Sequence, residues 1–277
     1  MTPFLKMHGL GNDFAVFDAR NRALALDSGV ARAIADRRFG VGCDQVIVIE
    51  KSPNGADAAM RIFNADGGEV ESCGNAARCV ARLLMDENGK SAVRLDSEGG
   101  ALACRDASGL VTVDMGSPKF GWREIPLAHE VDTNSFALDV SGARVSALDA
   151  VAAVSVGNPH CVLFVQGDAP VETLGPAIER HPMFPERTNV EFVQVLASDH
   201  LRMRVWERGA GITMACGTGA CAAVAAAQRR GLCGTKVEVV LDGGALTIEW
   251  EGGEAPIFMT GPTALSYRGE IDLQALR

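Results

Sequence analysis

The chain has 277 residues, 47% of them hydrophobic, which is ample for real cores in one large domain or two of ordinary size. Its net charge of −9, with the basic residues scattered, argues against a nucleic-acid surface of the usual kind. Eight cysteines, widely spaced and with no C-x-x-C pair, exclude a small disulfide scaffold and the commonest zinc signatures, and the five histidines form no ligand cluster, so no metal is expected.

Taken in order, Phe4 to His8 and Phe14 to Asp18 read as short strands around a tight loop, Gly9-Leu10-Gly11-Asn12-Asp13. Val30 to Arg37 has helical spacing, and the continuous apolar run Val46 to Ile49 reads as a buried strand, followed by a strand over Ala58 to Phe63. From Gly74 to about Asp86 the apolar positions mark a helix stopped by Asn88-Gly89. Strand-like pieces follow around Val93 to Leu95, Ala101 to Cys104 and Val111 to Met115, and Gly116-Ser117-Pro118 marks a boundary.

Beyond it, Val151 to Val156, a loop Gly157-Asn158-Pro159-His160 and Cys161 to Val165 form a strand, loop and strand. A helix covers Val171 to Arg180, strands cover Val190 to Leu196 and Leu201 to Trp206, and a second helix runs Gly217 to Arg230 before Gly231. Strands near Val237 to Leu241, Leu246 to Trp250 and Ile257 to Met259 lead to a tail. The longest apolar stretch, Ala220 to Ala227, is far short of the ~20 residues a membrane helix needs, and Met1 to Leu10 lacks a secretory pattern, so a cytoplasmic location without membrane partners is expected.

The halves repeat. Laying Cys216-Gly217 over Cys73-Gly74 brings Arg204 over Arg61, Trp206 over Phe63, Glu207 over Asn64, Gly211 over Gly68 and Ala220 over Ala77. At nearly the same spacing Gly157-Asn158 falls over Gly11-Asn12, and Asn189 over Gln45. Three short matches in one order imply two related domains of many strands, each wrapped around one largely apolar helix. The expected division is 1–117, joined by the tail 264–277, and 118–263, with ligand in the cleft between them.

Cys73 and Cys216 both stand where a helix begins. Unpaired N–H groups there carry partial positive charge, which would lower a thiol from its usual value of about 8.5 toward neutrality. Gly74 and Gly217 allow close backbone approach for a substrate carboxylate. Two matched thiols suggest a base and an acid on opposite faces of one carbon, a pair that inverts a stereocentre. The surrounding polar residues Asn12, Gln45, Asn64, Asn158, Asn189, Glu207 and Arg208 suit a zwitterionic ligand. Gly217 to Ala222 formally fits G-x-G-x-x-A, but no parallel βαβ pattern surrounds it, and no phosphate-binding G-x-x-x-x-G-K-[ST] exists, so no cofactor is expected. A lone histidine such as His160 is more often structural than catalytic.

The motifs Met7-His8-Gly9-Leu10-Gly11-Asn12-Asp13-Phe14, Phe63-Asn64-Ala65-Asp66-Gly67, Cys73-Gly74-Asn75, Gly157-Asn158-Pro159-His160 and Glu207-Arg208-Gly209-Ala210-Gly211, leading to Ala215-Cys216-Gly217, together resemble the diaminopimelate epimerase family over nearly the whole chain. That resemblance implies cofactor-independent interconversion of L,L- and meso-diaminopimelate in lysine and peptidoglycan precursor biosynthesis. It implies Cys73 and Cys216 as the acid–base pair and Gly74, Asn75, Gly217 and Thr218 at the helix starts that cradle substrate. Asn12, Gln45, Asn64, Asn158, Asn189, Glu207 and Arg208 would contact it, and His160 and Glu207 would tune the thiols. The fold implied is α+β, two pseudo-symmetric domains of barrel-like mixed sheet around a central helix, often in a homodimer.

Ala76 and Ile212 depart from the family, which commonly has glycine and often an acidic residue at those places. Related two-cysteine racemases of the proline or hydroxyproline type are the enzymatic alternative. A thiol redox or ligand-binding protein with a reversible Cys73–Cys216 disulfide is the other.

Overall fold

A computed structural model describes residues 1–71, 73–140, 148–167 and 170–276. Contacts divide the chain into two compact units, Met1–Asp114 with Thr260–Arg277, and Met115–Met259. The first unit opens with β1 (Thr2–Gly9), β2 (Asn12–Asp18), α1 (Ser28–Ala35), β3 (Gln45–Glu50) and β4 (Ala58–Asn64). It continues through β5 (Glu69–Val70), α2 (Gly74–Asn88), β6 (Ala92–Ser97), β7 (Gly100–Ala107) and β8 (Leu110–Asp114). The second unit holds β9 (Phe136–Leu138), β10 (Leu148–Ser155), β11 (Pro159–Phe164), α3 (Val171–Glu179), β12 (Asn189–Ala197) and β13 (His200–Glu207). After β14 (Gly211–Ile212) come α4 (Gly217–Arg229), β15 (Lys236–Leu241) and β16 (Gly244–Glu249); β17 (Phe258–Gly261) spans the boundary, and β18 (Ala264–Ile271) belongs to the first unit.

In the first unit β18, β1 and β2 are antiparallel, β2 runs parallel to β3, and β3 pairs antiparallel with β4. β4 then pairs antiparallel with β5 and parallel with β6, and β6, β7 and β8 form a meander. The second unit repeats the scheme. β11 is parallel to β12, β12 antiparallel to β13, and β13 takes β14 antiparallel and β15 parallel before the β15–β16 hairpin. Even the register recurs: the parallel pairings start at Phe14 opposite Gln45 and at His160 opposite Asn189. The repeat read from the sequence is therefore present as a repeat of strand order and polarity, in an α+β fold of two pseudo-symmetric barrel-like sheets.

Each sheet wraps a helix. Gly74 to Ala81 in α2 are all buried, and that helix touches β1, β6, β7 and β8. In α4 every residue from Gly217 to Ala227 is buried, against β10, β11, β12, β13 and β16. Small side chains on all sides let strands approach α4 closely from every direction, so a helix with no polar face is stable here. The other faces of the sheets carry a second layer. Val30, Ala31 and Ile34 of α1 pack with Phe17, Val46 and Phe63, while Val171, Leu174 and Ile178 of α3 pack with Phe136, Val190 and Phe192. Strands covered on both faces read as continuous apolar runs, which is why Val46 to Ile49 does not alternate.

Several boundaries differ from expectation for local reasons. The loop at residues 9–13 shrinks to Leu10-Gly11, with φ of 58° and 84°, a two-residue turn that leaves Gly9 paired with Asn12 in the ladder. Likewise Pro159 and His160 already belong to β11, leaving Val156 to Asn158 as the turn. Helix α1 stops at Ala35 because Asp36 has ψ of 121°, and it starts two residues earlier than its apolar spacing suggests because the Asp27 carboxylate caps Val30 N–H at 3.0 Å.

Candidate functional site

In the first unit Cys73 is the residue before α2, with extended backbone (φ −148°, ψ 110°), and its side chain is half-buried. The turn at Leu10-Gly11 delivers Asn12 to it. Asn12 Oδ1 accepts from Asn75 Nδ2 at 3.1 Å and faces the Cys73 sulfur at 3.9 Å, while its Nδ2 donates to Asp44 Oδ2 at 3.1 Å. Gln45 and Asn64 form a second cluster: they are opposite each other on β3 and β4, and Gln45 Nε2 donates to Asn64 Oδ1 at 2.9 Å. Gly74 and Asn75 are buried in the first turn of α2.

A charged network missed by the sequence reading fixes Asn12 from behind. Asp44 Oδ2 also accepts the Asp13 amide at 3.0 Å, Arg37 Nη2 reaches Asp13 and Asp44 at 2.8 Å each, and Lys6 bonds Asp13 and the Gly42 carbonyl. Burial alone would raise the Asp13 carboxyl, but the hydrogen bonds from Arg37 and Lys6 outweigh it and bring it down to about 2. Gly9 has a packing role too: a Cβ there would lie 2.9 Å from Nη2 of the fully buried Arg78 on α2. Charged residues beside a turn of glycines were the available signal, but charge at a strand end reads as a solvated face.

In the second unit Cys216 precedes α4 in the same extended conformation (φ −118°, ψ 112°) but is only 4% exposed. Thr218 Oγ1 is 3.5 Å from its sulfur, and Asn158 Nδ2 donates to Thr218 Oγ1 at 3.4 Å. His160 is fully buried, with Nε2 2.8 Å from Asn158 Oδ1 and Nδ1 2.7 Å from Glu191 Oε1. The structure therefore brings Cys216, Gly217, Thr218, Asn158, His160 and Glu207 together. It adds Glu191, which no sequence signal suggested.

Glu207 accepts from the Thr213 hydroxyl and from the Cys216 thiol. Burial pushes its carboxyl up to about 7 despite these donors. The expected lowering of the thiol is not found at Cys216. Burial first, then the charges of Glu207 and Glu191, hold it well above the ordinary cysteine value, and the Thr218 hydroxyl and Gly219 amide offset only part of this. A helix N-terminus acts on the thiolate, but desolvation acts on it too, and at a 4% exposed sulfur desolvation is the larger effect.

Asn189 and Arg208 have scaffolding contacts. Asn189 Nδ2 donates to the Pro159 carbonyl at 3.0 Å and Oδ1 accepts the Arg208 amide at 2.9 Å, tying the segment after β13 to β11. The Arg208 side chain is exposed and donates to the Glu186 carbonyl at 3.2 Å. Buried Glu179, at the end of α3, accepts from Trp206 Nε1 at 2.8 Å and from the Gly209 amide at 3.0 Å, so it anchors the residues flanking Glu207. Among the described residues no cluster of three or more His, Cys, Asp or Glu could hold a metal ion, and no helix is long and apolar enough to cross a membrane.

The family model "Diaminopimelate epimerase" matches residues 4–121 and 152–266. A diaminopimelate epimerase of Erythrobacter litoralis is 54% identical over 272 residues, covering 97% of this chain and 97% of its own. One of Rhodospirillum centenum is 52% identical over 272 residues, covering 97% of this chain and 91% of its own. A crystal structure of a probable proline racemase from Agrobacterium radiobacter shares the fold at a TM-score of 0.72 with 16% identity, covering 99% of this chain and 93% of that one. With matching sequence along both units, this chain belongs to the diaminopimelate epimerase family.

Proposed function

We propose that this chain interconverts L,L- and meso-diaminopimelate without a cofactor, with Cys73 and Cys216 as the two proton-transfer groups. The observation that carries the reading is the matched pair of cysteines, each capping the buried central helix of its sheet, in a chain of this family. One sulfur, as thiolate, takes the α-proton while the other, as thiol, gives its proton to the opposite face of the same carbon. The two protonation states are then exchanged, the reverse reaction restores them, and no net acid or base is consumed. Charge that builds up on the substrate carboxylate in the transition state is met by the first-turn N–H groups of Gly74, Asn75, Gly217 and Thr218.

Asn12, Gln45, Asn64, Asn158, Asn189, Glu207 and Arg208 supply contacts for a ligand with ammonium and carboxylate groups at both ends, and His160 and Glu207 adjust the Cys216 thiol. The reading requires both sulfurs to reach one α-carbon, one thiol coming from each unit. The family resemblance supports a cytoplasmic homodimer, which sedimentation would test.

Incubation with L,L-diaminopimelate in D₂O under reducing conditions, with no added cofactor, is expected to give deuterium at the α-carbon and the meso isomer. Absence of exchange would sink the reading, and faster exchange into proline or 4-hydroxyproline would transfer it to a related racemase. Cys73→Ser and Cys216→Ser are each expected to lower turnover by about 100-fold or more, the range of a lost general acid or base. A redox protein would have no turnover to lose.

A further inference from the structure

Four contacts join a fully buried carboxylate to the Cys216 sulfur in one line: Glu191 to His160 at 2.7 Å, His160 to Asn158 at 2.8 Å, Asn158 to Thr218 at 3.4 Å and Thr218 to Cys216 at 3.5 Å. All five residues belong to the second unit. Donors and acceptors along the line are constrained. His160 lies between two oxygens, Glu191 Oε1 and Asn158 Oδ1, so both ring nitrogens face acceptors. The Asn158 amide, having accepted from the ring, donates from Nδ2 to Thr218 Oγ1, and the Thr218 hydrogen is left to point at the sulfur.

We propose that Glu191 is a positioning residue that keeps a proton on His160 Nε2 and shares a second between His160 Nδ1 and its own Oε1, so that every donor from His160 Nε2 onward points toward Cys216. Burial supports it: Glu191 and His160 are both fully buried, and Glu191 Oε2 has no hydrogen-bond partner among the described residues. A bare carboxylate there beside a neutral imidazole would be an uncompensated buried charge, whereas one more proton makes the pair neutral. Glu191 is also close to the chemistry in space. A Cβ built on Gly219 would lie 2.8 Å from Glu191 Oε1 and 3.2 Å from the Cys216 sulfur, so the two flank one point in the first turn of α4, which only glycine leaves open.

The titratable groups facing this line are Glu207 on β13, Cys161 on β11 and Cys216 itself. Glu207 and Glu191 oppose the thiolate electrostatically, and the Thr218 hydroxyl favours it. The direction of the line thus decides whether the sulfur meets a hydrogen or a lone pair. Turned the other way, with the Asn158 amide rotated, Thr218 would donate to Asn158 and give the thiolate nothing.

The test uses the full chain with ¹⁵N-histidine and ¹³Cβ-cysteine labels. In the wild type, His160 Nε2 is expected to carry a proton at neutral pH; an unprotonated Nε2 would overturn the proposal. Glu191→Gln, nearly the same shape, is expected to remove the shared proton and so shift the His160 ring-nitrogen signals from their wild-type positions; because it also removes a group that opposes the thiolate, Cys216 is read in a second variant. Thr218→Val is expected to lower the thiolate fraction of Cys216 at a given pH by roughly tenfold, the scale of one lost hydrogen bond to the charged form, while leaving the His160 signals unchanged, and it keeps the proposal testable if Glu191→Gln does not fold. Unchanged His160 signals in Glu191→Gln, or unchanged Cys216 titration in Thr218→Val, would overturn it. The inference rests on the proposed function only in treating Cys216 as a proton-transfer group. None of these readouts needs turnover, so a chain that shows the protonated His160 but exchanges no α-proton would retain this inference and lose that reading.

Discussion

Glu207 is held near neutrality by the same burial that gives it something to do. Its ordinary value is 4.5 and burial pushes it to about 7, so the folded chain keeps a proton that the unfolded chain releases. A folded value raised in this way contributes stability fully below about 4.5, and that contribution is lost as pH rises through about 7. Glu207→Gln removes the penalty, keeps an acceptor for Thr213, and is expected to stabilise the fold at pH above ~7 by on the order of 1–3 kcal/mol while lowering α-proton exchange. Urea unfolding on both sides of this range checks it: a gain on the acid side as large as on the alkaline side would contradict the linkage. Glu207 and Asn158 were legible because glycines and a repeat frame them. Glu191 was not, because in Val190-Glu191-Phe192 a lone charge between apolar neighbours reads as the solvent side of a strand. Here α4 covers that side as well.

At the scale of elements, α4 was readable from its lack of any polar face, since such a helix has to be enclosed, and α2 from the apolar positions of its first turns. What their thiols would feel was not readable, because the helix N-terminus is a local property and burial is a property of the whole sheet around it. The outer helix α3 shows how tightly that sheet is braced. A Cβ on Gly175 would fall 2.6 Å from the Cβ of Trp206, the residue before Glu207. Alanine is ordinarily the better helix former by ~1 kcal/mol, yet Gly175→Ala is expected to destabilise by about 1–3 kcal/mol through overpacking. It should also slow α-proton exchange by moving Glu207. Thermal unfolding read beside the exchange assay decides, and a variant more stable than wild type would refute the packing account.

At the scale of the molecule, both termini of the chain build one unit, while the other is continuous in sequence. Strand β1 lies between β2 and β18, so its outer ladder waits for residues 264–271, the last strand made. The second unit runs without a break from Met115 to Met259. Contacts of long sequence separation form late, so in refolding the amides of β11 to β13 are expected to gain protection from hydrogen exchange before those of β1 that face β18. Pulse labelling would show this, and simultaneous protection would show that the two units fold as one. The repeat of strand order was visible in three short matches because each marks a turn or helix start, where backbone geometry restricts the residue. Most strand positions between them are held only by hydrophobicity, so outside matches such as Arg61 with Arg204 they repeat in shape more than in sequence.

The burial of Cys216 has a consequence for oxidative damage. Peroxide attacks thiolates, and a sulfur that is 4% exposed and held protonated offers neither access nor charge. Cys73, at the matching place, is only half-buried and so more accessible. Under limited peroxide, a sulfenic-acid trap followed by peptide mapping is expected to label Cys73 well before Cys216, so the two matched cysteines would age at different rates.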